Sequence, residues 1–283
     1  MTNSTTSAKT LIQEQVASML VEPLEAESVV LSSGPTIFNS SEPLRIPRLT
    51  SGFTPSIVGE NEQIPEAEDA GFDEIKLMPG DRKSIKSIIR ISNELIRAAK
   101  TGVSTQLQTR LVKDVSNQLD HMLLKGDGTD GGATGFLHQA GTQQGTLDTA
   151  KPYSLLDMLG MAAAKEVKPN RWFLSGEDYL ALSKLKDNNG RYLMQQSTAI
   201  DGAMVRTLFD VPVTVTNKLA KGEGALVDMK EVAVVRDIDP QVTILNERYA
   251  EFDQIGIRVV TRYDLGLLHP EGVIVFGGAA AEA

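Results

Sequence analysis

Residues 92–126 read SNELIRAAKTGVSTQLQTRLVKDVSNQLDHMLLKG and form the clearest helical pattern in the chain. Ser92 and Glu94 predict where the helix begins, and Gly102 predicts a break or a kink. Beyond that glycine, apolar residues recur at helical spacing on one face: Val103, Leu107, Leu111, Val115, Leu119, Met122 and Leu123. Lys125 and Gly126 are typical of a helix end, with a cation in the last turn and a glycine after it. The stretch therefore predicts a long, rigid spine helix.

A glycine-rich segment, GDGTDGGATGFL at residues 126–137, follows this helix directly. A nucleotide phosphate loop would follow a strand and end in Gly-Lys-Ser or Gly-Lys-Thr, and neither condition is met. Asp127 and Asp130 suggest a calcium loop, but the EF-hand spacing and its final glutamate are absent. We interpret the segment as a structural turn whose glycines permit positive φ angles.

The second half of the chain changes to alternating helices and short strands. Ser154 predicts a helix that runs to Lys165, and Ser175 predicts the N-terminal cap of another. Trp172–Leu174 is predicted as a short buried strand. Further strands are predicted at Val211–Thr216, Ala225–Met229, Val232–Arg236, Val242–Glu247, Ile255–Tyr263 and Val273–Phe276, with a tight turn at Lys230–Glu231. The predicted class is α+β.

Residues 32–56, before the spine helix, are rich in Ser, Pro, Thr and Gly and hold few bulky apolar residues. Such a segment cannot form a core alone, so we expect an extended arm that lies on another surface. Residues 57–91 then divide by charge, and the basic part continues to Arg97. The acidic part holds Glu60, Glu62, Glu66, Glu68, Asp69, Asp73 and Glu74, and the basic part holds Arg82, Lys83, Lys86, Arg90 and Arg97.

The sequence MPGD, Met78–Asp81, lies between the two charged parts and is predicted to be a turn. Two arms joined by a turn predict a long hairpin, with Ile85, Ile89 and Ile91 on the returning strand. One interpretation is a solvated acidic loop. The other is a projecting loop whose charges meet a neighbouring molecule.

The composition of the 283-residue chain excludes several classes of protein. There are no cysteines, which excludes disulfides, thiolate metal sites and cysteine nucleophiles. The net charge of −9 argues against a dedicated nucleic-acid binder, which is normally basic. The N-terminus lacks the pattern of a secretory signal, and no apolar run is long enough to span a bilayer. We expect a soluble, intracellular chain at the point of synthesis.

A search for catalytic chemistry finds no motif. His121, His138 and His269 have no second ligand at a spacing typical of a metal site. There is no Gly-x-Ser-x-Gly elbow and no His-Glu-x-x-His pair. We therefore predict no catalytic, cofactor-binding or metal-binding residue, and a structural or binding role for a non-enzyme.

Three stretches resemble the major capsid proteins of tailed phages with the Hong Kong 97-like fold. The first runs from Ile91-Ser-Asn-Glu-Leu-Ile96 to Leu124-Lys-Gly-Asp-Gly-Thr129 and Gly135-Phe-Leu137. The second is Leu185-Lys-Asp-Asn-Asn-Gly-Arg-Tyr-Leu193, followed by Leu208-Phe-Asp-Val-Pro-Val213, where the family commonly has L-x-G-x-P-V. The third is Ile257-Arg258, Arg262 and Pro270, which resembles the closing strands. The order and spacing of all three agree over roughly residues 45–276.

The resemblance implies an α+β Hong Kong 97-like capsid fold with an N-terminal arm, an extended β-hairpin loop, a long spine helix, a peripheral domain and an axial domain. It assigns residues 1–50 to the arm, 51–90 to the extended loop, 91–149 to the peripheral domain with the spine helix, 150–224 to the axial domain, and 225–283 to the remaining peripheral strands and the tail.

The function implied is self-assembly into pentamers and hexamers that form an icosahedral shell around double-stranded DNA, without sequence-specific binding, cofactor or membrane. The chain would be a virion protein assembled in the host bacterial cytoplasm, with a separate scaffolding protein, a portal and a decoration protein as further partners. The expected intersubunit contacts are Glu60, Glu62, Glu66, Glu68, Asp73, Glu74, Lys76, Arg82, Lys83 and Lys86, and the expected axial-domain loop holds Lys186, Asp187, Gly190, Arg191 and Tyr192.

Two departures from the family pattern lead to further expectations. Some members carry a scaffolding segment before the arm, whereas this sequence begins at Met1 with the arm, so scaffolding would be separate or unnecessary. Some members also crosslink a loop lysine to an asparagine with the help of a glutamate. Lys76 is the corresponding lysine, but Asp253 and Val260 stand at the other two positions, so we predict no isopeptide crosslinks.

Two alternatives to the phage capsid remain at this stage. An encapsulin, a cellular shell that holds a cargo enzyme, would share the same fold. An acidic hydrolase or nucleotide-binding enzyme would use the glycine-rich segment at residues 126–132. Loss of assembly without loss of any measurable catalysis after mutation of that segment would separate the capsid from the enzyme.

Overall fold

The structure is a computed structural model that describes residues 24, 27–49, 57, 59, 71–94, 103–151, 153–185, 197–198, 204–245 and 247–277. The described helices are α1 (Val103–Lys125), α2 (Tyr153–Ala164) and α3 (Gly176–Ser183). The described strands are β1 (Thr36–Asn39), β2 (Leu44–Leu49), β3 (Phe72–Leu77), β4 (Ile85–Ser92), β5 (Gln143–Gly145), β6 (Arg171–Ser175), β7 (Ser197–Thr198), β8 (Met204–Val205), β9 (Thr207–Leu208), β10 (Val211–Thr216), β11 (Gly224–Val227), β12 (Val232–Leu245), β13 (Gln254–Leu267) and β14 (Val273–Phe276).

A four-stranded sheet in the order β1-β12-β13-β4 carries the spine helix on one face. Strand β1 runs parallel to β12, with Thr36 opposite Ala233, and the other pairs are antiparallel. Strand β12 is continuous where the sequence predicted two strands, because register shifts between Arg236 and Gln241 absorb the irregular Asp-Ile-Asp-Pro stretch. The sheet therefore includes residues 36–39, which belong to the segment expected to lie on another surface.

The predicted spine helix is confirmed over Val103–Lys125. Strand β4 ends at Ser92, and Asn93 and Glu94 are helical, with the Glu94 N–H donating to the Ser92 hydroxyl at 3.2 Å. The apolar face of the spine helix is buried, with Leu119 and Leu123 0% exposed, and packs with Val259 and Tyr263 of β13. Each fully buried leucine contributes about 1.5–3 kcal/mol of transfer free energy, so this face fixes the helix on the sheet.

A six-stranded sheet in the order β5-β14-β11-β6-β10-β9 forms the second layer. Helices α2 and α3 cover one face through Leu155, Met158 and Leu182, which pack with Trp172 of β6. Phe173, the next residue, points to the other face and joins the spine-helix core. The predicted strands at 172–174, 211–216 and 273–276 and the helix cap at Ser175 are confirmed.

A two-stranded hairpin of β2 and β3 lies on the outer face of the four-stranded sheet. Leu44 is opposite Leu77, and Leu77 packs on Ala233 and Val235 of β12. A Cβ atom at Gly266 would lie 2.4 Å from the Leu77 side chain, so this glycine permits the close approach.

The predicted pairing of the charged hairpin is wrong. Strand β3 pairs with β2 of the arm segment, whereas the basic strand β4 pairs with β13 and belongs to the four-stranded sheet. The MPGD turn does exist, but it leads from the hairpin into the sheet and does not join two hairpin arms. The residues between β2 and β3, which include the acidic segment 60–69, lie outside the described residues except for Ile57, Gly59 and Gly71.

Glu223 joins the loop before β11 to the end of the spine helix. Its carboxylate lies 2.6 Å from Lys125 Nζ and accepts a hydrogen bond from the Ala220 N–H. Burial raises the pKa of Glu223, but these two partners together outweigh burial and hold the pKa below its ordinary value.

We expect Glu223→Gln to lower the free energy of unfolding by about 1 kcal/mol at neutral pH, because a charge-assisted hydrogen bond is lost. The pKa is lower in the folded state, so this stabilisation is present above the ordinary glutamate pKa and is lost as the pH falls through the folded value. Urea unfolding at several pH values checks this. A difference between the two proteins that grows on acidification would contradict it.

Candidate intersubunit contact surface

Ion pairs between and within the two strands join exposed charges of the β2–β3 hairpin. Arg45 lies 3.1 Å from Glu74, Arg48 lies 2.6 Å from Asp73, and Lys76 lies 3.2 Å from Glu74. The hydrogen bond from Arg48 is the main reason why the pKa of Asp73 is lowered. Asp73, Glu74 and Lys76, three of the predicted contact residues, are therefore exposed on β3 and already paired within the chain.

Several predicted contact residues cannot be placed. Glu60, Glu62, Glu66 and Glu68 lie outside the described residues, as does the whole predicted axial-domain loop with Lys186, Asp187, Gly190, Arg191 and Tyr192. Lys83 and Lys86 are described and exposed, and Lys86 shares the outer face of β4 with Ile88 and Arg90. Arg258 of β13 is directly opposite Ile88 and extends this basic face.

The charge of Arg82, another predicted contact residue, is used inside the chain. The side chain is only 13% exposed and lies 3.0 Å from the carboxylate of Asp264, which is 0% exposed. Arg82 Nη1 also donates to the Gly132 carbonyl. These internal bonds disfavour a contact of Arg82 with a neighbour, and the contact stays a prediction.

A clamp of buried charges holds the turn that leaves the hairpin. Asp264 accepts hydrogen bonds from the Met78 N–H at 2.7 Å and from Arg82. On the same strand, Arg262 pairs with Asp237 at 2.9 Å and donates to the Pro79 carbonyl at 3.2 Å. Met78 has a φ of 56°, an uncommon value for a residue with a side chain. The base of the hairpin is therefore fixed by specific bonds as well as by packing.

The glycine-rich segment after the spine helix packs against this turn and forms a hydrogen bond with it. The Gly131 carbonyl accepts from the Lys83 N–H at 2.8 Å, and a Cβ at Gly131 would lie 2.8 Å from the Asp81 carbonyl oxygen. Asp127 accepts from the hydroxyl and N–H of Thr129, which lowers its pKa. These contacts agree with the interpretation as a structural turn. They also explain a glycine at position 131, where a side chain would collide with the Met78–Asp81 turn.

Gly135→Ala is expected to lower the free energy of unfolding by about 2–3 kcal/mol, because the added Cβ would lie 2.6 Å from the Leu124 carbonyl carbon and 2.8 Å from the Gly126 nitrogen. Backbone atoms cannot move aside as a flexible side chain does. Gly80→Ala is the matched control, since its Cβ meets nothing within 4 Å. Chemical unfolding checks both variants, and equal losses would contradict the steric argument.

A buried carboxylate on the spine helix anchors the chain before β1. Asp120, 2% exposed, accepts from the Ser28 hydroxyl at 2.6 Å and from the N–H groups of Val29 and Val30 at 3.0 and 3.2 Å. Sequence reasoning missed this site. The available signal was a charged residue on the helix row that also holds Val112 and Leu124, both buried.

The described residues were also searched for other kinds of site. They contain no group of His, Cys, Asp or Glu arranged to hold a metal ion, and no helix long and apolar enough to cross a membrane. A polar cleft of about 520 Å³ lies beside Lys165 and His269, but Lys165 pairs with Glu271 and His269 lies 3.7 Å from Glu231. Four of its ionisable groups therefore lie in two pairs within the chain.

Comparison with known proteins identifies relatives by sequence. The chain matches the model of the phage capsid family over residues 8–277. It is 26% identical, over 297 residues, to the major capsid protein of Klebsiella oxytoca phage phiKO2. The match covers 96% of this chain and 68% of that protein.

Solved structures with low sequence identity share the fold. The capsid of a native GTA particle, computed with C5 symmetry, is similar with a TM-score of 0.69 at 14% identity, covering 89% of this chain and 90% of that chain. A chain of Microbacterium phage Oxtober96 reaches 0.70 at 14% identity, covering 88% and 90%. A chain of Mycobacterium phage Adephagia reaches 0.68 at 15% identity, covering 90% and 91%. The predicted α+β capsid fold is confirmed.

Proposed function

The chain belongs to the phage capsid family, and we propose that it is the major capsid protein of a tailed phage. Copies would form pentamers and hexamers that close into an icosahedral shell around double-stranded DNA. The observation that carries this is the family match over residues 8–277, together with a fold shared with phage and GTA capsid chains.

The clamped hairpin supports assembly by contacts between copies. Buried bonds at Met78 and Arg82 fix its base, while its outer side carries exposed charges and leads to the acidic segment 60–69. Rigid presentation of a charged element lowers the ordering cost of association. We propose that this acidic segment of one copy faces the basic outer face of β4 on another.

Charges of this kind set register and partner choice more than affinity, because exposed pairs are weak and screened by salt. The double variant Lys83→Glu/Lys86→Glu tests the pairing, since both residues are exposed and neither belongs to the clamp. Slower or aberrant assembly at low salt supports it. Unchanged assembly at every salt concentration would exclude the pairing without affecting the capsid assignment.

The remaining partners follow from the proposed role. A negative net charge of −9 suits a container that must release DNA, and contact with the DNA would not depend on its sequence. Scaffolding, portal and decoration proteins would be separate chains. Assembly would take place in the host cytoplasm, and the protein would have no catalytic activity.

Electron microscopy of the chain expressed alone tests the function. Closed shells tens of nanometres across, or ring-shaped capsomers that close when a scaffold is supplied, are the expected result. A nucleic-acid assay of purified particles then separates a phage capsid from an encapsulin. A compact monomer that never associates at high concentration would overturn the proposal.

We expect assembled shells to contain no isopeptide crosslinks. Lys76 is exposed and lies on β3, but Asp253 has no amide to act as a leaving group and accepts from Asn93 at 2.6 Å, while Val260 cannot take a proton. A denaturing gel should show a single band near 30.6 kDa. A ladder of covalent oligomers would contradict this expectation.

A further inference from the structure

Helix α2 is apolar on two faces, and the subunit covers only one of them. Leu155 and Met158 on the inner face are each 1% exposed, whereas Tyr153 and Leu156 on the outer face are 71% and 44% exposed. The sequence of the helix, YSLLDMLGMAAA, contains a single charge, at Asp157. A helix that is apolar all round is normally buried on all sides.

The outer face of α2 also allows another chain to approach closely. A Cβ atom at Gly160 would meet nothing within 4 Å, and Ala163 and Ala164 next along the face are exposed. Tyr153 and Leu156 lie at one end of this face, and the small residues lie at the other. The result is a shallow apolar seat with a large rim residue, here called the α2 seat (Tyr153, Leu156, Gly160 and Ala163).

The turn between β9 and β10 presents a large apolar side chain. Phe209 and Asp210 are its two central residues, with φ angles of 50° and 65°, and Leu208 is opposite Val211. Both angles are positive, as a type I′ turn requires, and Asn-Gly or Asp-Gly are the residues that favour it. A phenylalanine there is unfavourable, yet its side chain is 45% exposed and belongs to none of the buried clusters. Backbone strain kept at a side chain that is half exposed and outside the buried core indicates a functional role for that side chain.

The Phe209 turn lies at the β9 edge of the six-stranded sheet, whereas α2 lies across one face of that sheet. Met158 of α2 packs beside Gly145 of β5 and in one cluster with Trp172 of β6. The α2 seat is on the opposite side of the helix from these buried contacts, so the exposed turn and the exposed seat are two separate patches. A ring of identical copies needs two different, complementary patches on different sides of each copy.

We propose that the Phe209 turn of one copy docks in the α2 seat of the next copy around a ring. This rests on the proposed function and names the surfaces that form a capsomer. One pair of charges is complementary, since Asp210 next to Phe209 is exposed and Lys151, before the first turn of α2, is exposed as well. Asp157, also exposed on α2, has the same sign as Asp210, so the docking must bring Asp210 nearer to Lys151 than to Asp157. Neither Asp210 nor Lys151 forms an ion pair with any described residue, and the N-terminus of α2 also favours an incoming carboxylate.

Phe209→Gly removes the side chain and relieves the strained turn, because glycine adopts positive φ at no cost. We expect the subunit to unfold no more easily than the wild type, while the concentration needed for assembly rises by about tenfold or more. Leu156→Asp, which changes the α2 seat, should raise the concentration needed for assembly by a similar factor. Phe252→Gly is the matched control, since Phe252 is 67% exposed but lies at the β12–β13 turn of the other sheet.

Thiol crosslinking tests the contact directly, because the natural chain has no cysteine. Assembled Leu156→Cys/Phe209→Cys protein treated with a short bis-maleimide should give a ladder that ends at the ring size, and each single variant should give none. The control pair Leu156→Cys/Phe252→Cys should stay monomeric on the gel. Normal particles with no ladder from the test pair would overturn this inference and leave the proposed function intact. Absence of any particle from the wild-type chain would overturn both.

Discussion

Asp264→Ala is expected to lower the free energy of unfolding by about 3–5 kcal/mol, because it leaves the Arg82 guanidinium buried without its counter-charge. The carboxylate of Asp264 is 0% exposed and accepts from Arg82 at 3.0 Å and from Met78 N–H at 2.7 Å. Its other oxygen accepts from the Leu265 N–H at 2.9 Å. One substitution therefore leaves a buried cation and two backbone donors without their acceptor.

A second Arg–Asp pair in the same chain is the natural control. Arg48 and Asp73 on the hairpin lie 2.6 Å apart, a shorter contact than the buried pair, but their side chains are 24% and 48% exposed. Asp73→Ala should lower the free energy of unfolding far less than Asp264→Ala does, because water solvates the remaining arginine. Distance alone would rank the pairs in the opposite order, so the comparison isolates burial.

The double variant Arg82→Met/Asp264→Ala separates the cost of an orphaned charge from the loss of packing. It should be less destabilised than the sum of the two single variants, by at least about 2 kcal/mol, because no unpaired charge remains. Urea unfolding of the unassembled subunit measures all three. Two results would show that the Arg82–Asp264 pair does not fix the base of the hairpin. One is that the decreases in the free energy of unfolding of the two single variants simply add in the double variant, and the other is a decrease below about 1 kcal/mol for Asp264→Ala.

Elements formed by local patterns were predictable from the sequence. The end of the spine helix at Lys125, the strand Val211–Thr216 and the cap at Ser175 are all observed, because periodicity, β-branched runs and capping act within a few residues. The pairing of the charged hairpin was not predictable in this way. The turn at Met78–Asp81 is real, but which strands pair depends on contacts distant in the chain, here between Leu44 and Leu77.

The candidate contact surface was predicted less well than the fold, and the reason is physical. Charge counts along the chain treated Arg82 and Lys83 alike, although one is buried against Asp264 and the other is exposed. The difference arises because β13 brings an aspartate beneath the hairpin turn. Phe209 was hidden for another reason, since its significance lies in a positive φ angle that its residue type does not favour.

Asp120→Ala is expected to release the segment before β1 from the spine helix. The substitution removes the acceptor of three donors, the Ser28 hydroxyl and the N–H groups of Val29 and Val30. Each unsatisfied buried group costs about 1–3 kcal/mol, but the segment can detach and rehydrate, so we expect a total loss of about 3 kcal/mol. Limited proteolysis should then cut near residue 28 well before the core unfolds.

Asp114→Ala is the control on the same helix, because Asp114 is exposed and pairs only with Arg110 one turn away. It should lower the free energy of unfolding by less than about 0.5 kcal/mol and leave the protease pattern unchanged. Early cleavage in both variants, or in neither, would show that Asp120 does not anchor the segment.

The pH dependence of Asp120→Ala should run opposite to that of Glu223→Gln. Burial raises the pKa of Asp120, and the hydrogen bonds from Ser28, Val29 and Val30 only partly oppose it. The folded state therefore binds the proton more tightly than the unfolded state, so the contribution of Asp120 is largest below the ordinary aspartate pKa and declines as the pH rises through the folded value. The difference in free energy of unfolding between wild type and Asp120→Ala should therefore decrease as the pH rises. The corresponding difference between wild type and Glu223→Gln should increase. If both differences changed with pH in the same direction, one of the two carboxylates would not have the shifted pKa that its surroundings imply.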